Sequence, residues 1–393
     1  MELTKYFKNF FHSSQSSGIL LIICVIVSLL IANSSLGEPF QEVLNSQLGA
    51  YSVAVWINDG LMAIFFLLVG LEIKREIVEG ELSTFKSASL PIFAAVGGMV
   101  VPALIYALFN SGTEYSNGWG IPMATDIAFS LAIISMIGRQ VPGAVKIFLA
   151  ALAIVDDLGA IVVIAIFYTE QIHWNYLLLS GGIILLLIAL NYFKVTKHIF
   201  YLVPGAFLWY FMHHSGIHAT IAGVLLAFTI PTNVSKTQIS PLEKLESALH
   251  VPVSFFIMPI FALANTNIML KAGMVDGLFT NFGAGIILGL VAGKVVGITV
   301  FSFAAIKLRI SDLPYKATWF HMIGAGFLAG IGFTMSIFIA LLSFKNNIAI
   351  QEEAKFAILV ASVISGFIGY IFLKYFAKTK IALSDYKERV KNF

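Results

Sequence analysis

Residues 143–167 read GAVKIFLAALAIVDDLGAIVVIAIF, an apolar run with two adjacent carboxylates, Asp156 and Asp157, near its middle. A helix that crosses a bilayer needs about 20 predominantly apolar residues, and this run is long enough. Ionisable side chains inside a bilayer are costly, so each of them is a hypothesis of function by default. The run therefore predicts a membrane-spanning helix with a polar site at mid-depth.

The rest of the chain has the same character. Of its 393 residues, 59% are hydrophobic and only 11% are charged, against about 25% charged residues in soluble domains. This composition excludes a soluble protein and predicts an all-α polytopic membrane protein, with residues 1–393 as a single integral-membrane domain. The single cysteine, Cys24, excludes a disulfide framework and a cysteine-based metal site.

Apolar runs bounded by charges predict twelve transmembrane helices. Their expected positions are 18–36, 53–73, 89–109, 120–138, 144–168, 175–193, 199–213, 217–230, 248–268, 281–303, 317–344 and 355–377. The seventh and eighth are short for a span, so the alternative is one long helix that runs through both. The first run is long for a secretory signal and no clear cleavage pattern follows it, which favours a retained helix.

Lysine and arginine accumulate in cytoplasmic loops, so their positions discriminate between the two topologies. With twelve spans and the amino terminus inside, most of the 24 lysines and arginines lie in cytoplasmic segments. The fused helix divides them almost evenly between the two sides. Twelve spans with both termini cytoplasmic are therefore predicted. The net charge of +3 reports this orientation, and no nucleic-acid partner is expected.

Most charged residues lie in loops or at span ends, but four do not: Asp126, Asp156, Asp157 and Lys294. Two close carboxylates resist simultaneous ionisation, and a carboxyl group so placed can exchange a proton for a small hard cation that prefers oxygen ligands. Lys294 can neutralise one of the acids. The alternative is a buried ion pair that only fixes helix register, but three acids against one lysine favour an ion site.

Two predicted spans carry helix-breaking residues in corresponding positions of the two halves. In residues 118–126, GWGIPMATD, Pro122 removes a backbone donor. Residues 324–334, GAGFLAGIGFT, are rich in glycine, which either unwinds a membrane helix or allows close helix packing. Paired broken spans are the best sequence indication of a transporter's ion site. Thr125 and Asp126 are suited to receive the freed backbone groups at membrane depth.

Further titratable residues lie near the ends of spans. They are Glu72, Arg75, Glu76, Glu246, His250 and His218. From the residues alone, the group around Glu72 is typical of a helix end, while Glu246 and His250 are a pH sensor or a solvated pair. Histidine titrates near neutral pH, so His218 is a pH sensor or caps its helix.

Eight segments, taken in chain order, resemble the bacterial NhaA-type sodium/proton antiporter family. They are 58–66 (NDGLMAIFF), 69–76 (VGLEIKRE), 124–129 (ATDIAF), 155–159 (VDDLG), 216–220 (GIHAT), 259–265 (PIFALAN), 293–294 (GK) and 330–336 (GIGFTMS). The likeness covers most of the chain, and the combination of segments is highly specific.

The resemblance implies roles for the buried charges. Asp157 would bind sodium or lithium, with Asp156 as the second carboxylate and the partner of Lys294. Thr125 and Asp126 would compensate the dipoles of two interrupted helices, the fourth and eleventh spans of inverted-topology repeats. This architecture belongs to the family itself and is carried over with the resemblance.

The resemblance also assigns Glu72, Arg75, Glu76, Glu246 and His250 to a cytoplasmic pH-sensing region. Ser247 departs from the pattern, because well-studied members carry a second histidine there, and this predicts a shifted or blunted pH response. The family implies a homodimer, but the loop 36–52 is short beside the stretch that forms a dimerising β-hairpin in such relatives.

The expected function is secondary transport in the bacterial inner membrane, with no cofactor and no enzymatic step. Cytoplasmic sodium or lithium would be exchanged for external protons by alternating access, electrogenically and at neutral-to-alkaline pH, for sodium and pH homeostasis. One rival is a passive cation channel, which predicts conductance without proton coupling. The other is an intramembrane enzyme, but the Gly-x-Gly-Asp segment of aspartyl proteases and the repeated Asp-rich turns of prenyl-transferring enzymes are absent.

Overall fold

The computed structural model describes residues 14–169, 172–232, 239–271, 273–345 and 347–391. Its helices of nine or more residues there are α1 Ser14–Ala32, α2 Gly37–Asn45, α3 Val53–Val78, α4 Phe85–Asn110, α5 Ile127–Ile137, α6 Gly143–Phe167, α7 Trp174–Tyr192, α8 Ile199–Ser215, α9 Ile221–Thr229, α10 Pro241–Asn265, α11 Asn281–Lys307, α12 Trp319–Ala329, α13 Phe333–Ser343 and α14 Ile348–Lys391. A 3₁₀ stretch, Ser116–Met123, precedes α5. Short π-helical stretches interrupt α3, α10 and α11 at Trp56–Leu61, Val253–Ile257 and Gly289–Gly293.

Eight helical segments of the described chain are long and apolar enough to cross a membrane. Two further pairs satisfy the same test if each bent pair is one span: α1 with α2, bent by 109°, and α12 with α13, bent by 46°. The predicted all-α, polytopic class is confirmed. By these criteria up to ten spans are found in the described chain, and α8 and α9, with only 17 and 9 residues, are too short to be counted.

The segment around residue 216 contains two helices and not one. Gly216 ends α8 in the left-handed conformation, with φ of 87°, which glycine adopts without steric cost. On the far side of the turn, Leu226 of α9 packs against Gly205 of α8. Because these two residues lie on opposite sides of the turn, the helices are antiparallel neighbours, and the fused helix is wrong.

Contacts divide the described chain into two compact units. The first contains residues 20–83 and 160–269, and the second contains residues 14–19, 84–159 and 270–391. In the first, α3 packs on α9, where a methyl group at Gly223 would lie 2.8 Å from the Leu67 nitrogen. In the second, α4 packs on α11, where a methyl group at Gly297 would lie 2.6 Å from the Gly97 carbonyl carbon. Small residues allow such close approach of membrane helices.

Two segments differ from the sequence expectation. The loop 36–52 contains α2 and a hairpin of two-residue strands, β1 Gln47–Leu48 and β2 Tyr51–Ser52, in which Gln47 pairs with Ser52. Helix α10 begins at Pro241, well before residue 248, because Ser240 and Glu243 form a reciprocal capping box. Glu246 and His250 therefore lie on a helix rather than in a loop.

Candidate functional site

The chain before α5 leaves the helical conformation near the middle of the apolar segment. The 3₁₀ stretch that contains Pro122 ends at Met123, Ala124 and Asp126 are extended, and α5 begins at Ile127. Proline at this position cannot donate the backbone hydrogen bond that a continuous helix requires. The backbone groups around Thr125 therefore need partners from elsewhere.

A second break, Gly330–Gly332 between α12 and α13, supplies those partners. The Asp126 amide donates to the Ile331 carbonyl oxygen at 2.6 Å. Hydroxyl groups serve other carbonyl oxygens: Ser130 donates to Leu328 at 2.7 Å and Ser336 donates to Ile121 at 2.7 Å. The two breaks thus lie against each other and satisfy each other's backbone, which removes the cost of unpaired polar groups at membrane depth.

Asp126 caps helices on both sides of this crossing. One carboxylate oxygen accepts from the Phe129 amide at 3.1 Å, at the start of α5. The other accepts from the amide of Thr334 at 3.1 Å and from its hydroxyl group, at the start of α13. Negative charge is stabilised at helix amino termini. Asp126 is buried, and both of its oxygens are already engaged.

Asp156 and Lys294 form a fully buried ion pair. Asp156 lies on α6 and is 1% exposed, and Lys294 lies on α11 directly after its π-helical stretch and is 0% exposed. The lysine ammonium donates to Oδ2 of Asp156, which also accepts from the Thr125 hydroxyl at 2.6 Å. Within the described part of the chain, Oδ1 of Asp156 has no hydrogen-bond partner.

The Thr125 hydroxyl lies between two acceptors. Its oxygen is 2.6 Å from Oδ2 of Asp156 and 2.8 Å from the Ala329 carbonyl oxygen at the end of α12. A hydroxyl group has one proton to donate, and a carbonyl oxygen can only accept. The two acceptors either share this proton in a three-centre hydrogen bond, or Ala329 receives it alone when Asp156 is protonated and donates to Thr125. An ionised Asp156 competes with Ala329 for the same proton.

Asp157 follows Asp156 on α6 and is 2% exposed. Successive helical residues point about 100° apart, so the two carboxylates face different directions. The charge of Asp157 nevertheless acts on Lys294. The structure therefore brings together, in the second unit, all five residues that the sequence assigned to the buried site.

A second charged group joins the carboxyl-terminal end of α3 to α10. The Arg75 Nε lies 3.0 Å from both carboxylate oxygens of Glu246, and its Nη1 lies 2.9 Å from Oε1 of Glu76. The charges of Glu246, Arg75 and Glu76 all act on Glu72. These four residues form the α3 charge cluster, which is partly exposed.

The two candidate histidines differ in their exposure to solvent. His250 is exposed one turn after Glu246 on α10. His218 is buried in the turn between α8 and α9, where its Nε2 lies 2.8 Å from the carbonyl oxygen of Tyr168, just after α6 ends. The His218 ring therefore contacts the residue after α6, while its own carbonyl oxygen accepts from the Ile221 amide at 3.1 Å, at the start of α9.

The sequence matches, over residues 8–373, the family model described as Na+/H+ antiporter 1. The chain belongs to this family. It is 59% identical to the Na+/H+ antiporter NhaA 2 of Flavobacterium johnsoniae over 96% of this chain and 94% of that protein. It is also 51% identical to the NhaA of Flavobacterium psychrophilum, over 97% of this chain and 99% of that protein.

A further NhaA, from Dechloromonas aromatica, is 51% identical over 95% of this chain and 97% of that protein. The resemblance stated from the sequence segments is thus confirmed. Sodium/proton exchange is the activity for which the family is named, and these NhaA relatives are named as transporters rather than as enzymes.

Several contacting residues of this NhaA-family chain were not singled out from the sequence. Ser130, Thr334 and Ser336 bond across the two breaks, and hydroxyl groups in the first turns after a glycine or proline break are the signal that indicates them. Lys74 was also missed: its ammonium donates to the carbonyl oxygens of Phe228 at 2.7 Å and Ile230 at 2.6 Å, at the end of α9. Basic side chains commonly satisfy such carbonyl groups.

Proposed function

We propose that this NhaA-family chain exchanges cytoplasmic sodium or lithium for external protons by alternating access, and that Asp156 and Asp157 bind either ion. The observation that carries the proposal is the difference between the buried acids. Both oxygens of Asp126 are engaged by helix caps, whereas Asp156 keeps Oδ1 without a hydrogen-bond partner within the described chain.

Exchange follows from competition for the same oxygens. Small hard cations prefer oxygen ligands, and a carboxylate that holds a proton has lost the charge that attracts such a cation. Open to the cytoplasm, ionised Asp157 and Asp156 accept one sodium ion. Open to the outside, protons displace that ion and the protonated site returns. Since one site cannot hold both ligands, neither ion crosses uncoupled.

Two carboxylates can carry two protons for one sodium ion. Each cycle would then move one net positive charge, so the exchange would be electrogenic and driven by the membrane potential as well as by the proton gradient. Lys294 supports this stoichiometry, because its pairing with Asp156 neutralises one acid while the site is otherwise empty. Exchange that does not respond to membrane potential would contradict this part of the proposal.

The proposed architecture has twelve spans in one integral-membrane domain of the bacterial inner membrane, with both termini cytoplasmic. The support for this number is that α8 and α9 are two separate helices, which together with the ten candidate spans make twelve. The crossing of the breaks before α5 and after α12 supports interrupted fourth and eleventh spans in inverted-topology repeats. A homodimer is proposed from the family, although the two-residue strands of the hairpin offer little surface for it.

The α3 charge cluster is the proposed cytoplasmic pH-sensing region, with His250 and His218 as further members. Its support is that one arginine is shared by two acids from different helices, Glu76 and Glu246. Protonation of Glu246 removes the ion pair between α3 and α10, and protonation of Glu76 removes the second acid that Arg75 contacts within α3. Activation at neutral-to-alkaline pH follows if transport requires the fully ionised cluster.

The deciding experiment uses everted membrane vesicles that respiration has acidified inside, with a pH-sensitive dye. Sodium, lithium and potassium are added separately at several pH values. We expect proton release with sodium and lithium but not potassium, growing with pH. In Asp157→Asn it should fall by at least about tenfold, since even the loss of an outer-shell partner of a metal ligand has an effect of that size. Asp312→Asn is the matched control, because Asp312 is a carboxylate of the same unit that is 82% exposed.

Two results would overturn the proposal. Full sodium-driven proton release in Asp157→Asn would remove Asp157 from the site. Sodium conductance without proton release in the wild type would favour a cation channel lined by the same acids.

A further inference from the structure

Asp59 lies near the amino-terminal end of α3, at the end opposite to the α3 charge cluster, and it contacts a histidine of α8. Oδ2 of Asp59 lies 3.4 Å from Nδ1 of His213, near the carboxyl-terminal end of α8, and the two side chains are 25% and 23% exposed. Trp209, one turn earlier on α8, donates from Nε1 to the Asp59 carbonyl oxygen at 3.2 Å. The end of α8 thus holds Asp59 by its backbone as well as its side chain.

Among the described residues, Asp59 is the acid that contacts His213. The titratable groups that face its ring are Asp59 from α3, Tyr51 from β2 at a ring-centroid distance of 4.8 Å, and His214 of its own helix at 5.4 Å. His214 in turn lies against Tyr51, Tyr210 and Tyr176 of α7. The sequence of α9, IAGVLLAFT, contributes no titratable side chain. The interaction of a protonated His213 is therefore set mainly by Asp59.

Asp59 belongs to the π-helical stretch of α3, Trp56–Leu61. Such stretches hold one extra residue per turn and are frequent at functional sites. The preceding residue, Asn58, accepts a hydrogen bond from the side chain of Asn265 at the end of α10, at 2.8 Å. This irregular part of α3 is therefore held by α10 at Asn58 and by α8 at Asp59.

We propose that Asp59 and His213 form an external proton-binding site that regulates exchange. A proton on His213 turns its contact with Asp59 into an ion pair that stabilises the packing of α3 against α8. Loss of that proton weakens this packing and allows α3 to move. Histidine is suited to this because it titrates near neutral pH. The proposal rests on the proposed function for the orientation that puts this end of α3 outside, opposite the α3 charge cluster.

The two ends of α3 would then respond to pH on opposite sides of the membrane. Asp59 and Lys74, near the two ends of α3, are separated by about 22 Å at 1.5 Å per helical residue. The charges at one end therefore have little electrostatic effect on those at the other. Acid outside fastens α3 and slows exchange, and alkaline medium outside releases it. Because the pair is partly exposed, we expect an effect of about two- to fivefold on the rate.

The test uses right-side-out vesicles loaded with radioactive sodium in a fixed internal buffer, while external pH is stepped from about 5 to about 8. External protons are also a transported ion, so the measured quantity is the ratio of variant to wild-type rate at each external pH. For His213→Gln and Asp59→Asn, we expect this ratio to be about two to five in acid and about one in alkaline medium. The double variant should show no further increase.

His214→Gln is the matched control, since His214 contacts tyrosines rather than Asp59. We expect it to keep the wild-type response. Ratios that stay at one for both single variants, or a His214→Gln response equal to that of His213→Gln, would overturn the external site. A wild type that exchanges no sodium would overturn the proposed function instead.

A second measurement does not depend on transport. Hydrogen exchange of residues 56–61 is compared between wild type and each variant at the same pH in lipid nanodiscs, so that the intrinsic exchange rate cancels. We expect faster exchange in His213→Gln and Asp59→Asn than in wild type at about pH 5, and no difference at about pH 8. Equal exchange at both pH values would refute the fastening of α3 even in an inactive preparation.

Discussion

Each unit contains a basic side chain that interacts with acids: Lys294 in the buried ion pair of the second unit, and Arg75 in the α3 charge cluster of the first. The two groups differ in their access to water. Asp156 and Lys294 have fully buried side chains, whereas those of Arg75 and Glu246 are 36% and 17% exposed. Water screens a charge that it reaches, while a charge without water depends wholly on its partners. The buried pair is therefore suited to exchanging ions one at a time, and the exposed cluster to a graded response.

The largest difference between the two regions should follow from removing the basic residue of the buried pair. In Lys294→Ala the Asp156 carboxylate is left buried without its cation, which costs about 3–5 kcal/mol. We expect loss of exchange and a clearly lower unfolding temperature of the purified protein in detergent.

The double variant Asp156→Asn with Lys294→Met is the matched control for that result. It removes both charges, so it should recover most of the unfolding temperature while exchange stays absent. If Lys294→Ala unfolds at the wild-type temperature, Lys294 does not neutralise a buried charge.

An intermediate effect should follow from the hydroxyl group that links the buried pair to the helix break. Thr125→Val keeps the shape of the side chain but leaves the Ala329 carbonyl oxygen without its donor, at a cost of about 1–3 kcal/mol. We expect lower thermal stability and slower exchange, measured as above. Thr125→Ser restores the hydroxyl group and should behave like the wild type, and equal loss in both variants would point to packing instead.

The smallest effect on stability should be at the exposed cluster. Arg75→Gln removes an ion pair worth about 0–1 kcal/mol, so the unfolding temperature should change little. Loss of the positive charge favours the protonated form of the neighbouring acids, so the pH profile of exchange in everted vesicles should move to alkaline pH. Arg75→Lys should move it less, and an unchanged profile in both variants would exclude the cluster as a pH sensor.

The sequence predicted most of what the bilayer dictates. Apolar runs located the long helices, and because charges at membrane depth need partners, Asp156, Asp157 and Lys294 were expected together. The break at Pro122 followed from its missing donor. The start of α10 could also have been found, since Ser240 followed by Glu243 is a capping-box pattern.

Contacts between distant segments were not predictable from one sequence. The bond from Ser130 to Leu328 depends on how two breaks cross, and a hydroxyl group in an apolar run has many other uses. The pairing of Asp59 with His213 depends likewise on the packing of α3 and α8. Helix α2 was missed because its nine residues, GEPFQEVLN, lack the length of a span and look like a polar loop.

The approach of α4 to α11 has a consequence for how the ion pair moves. Gly97 and Gly297 lie back to back, with room for a hydrogen atom but not a methyl group on either backbone. Lys294 lies one turn from Gly297 on α11, so the helix that carries it is packed closely against α4. A movement that separates Lys294 from Asp156 must either carry α4 along with α11 or break the contact between the two glycines. We therefore expect α4 and α11 to move as one rigid pair during transport.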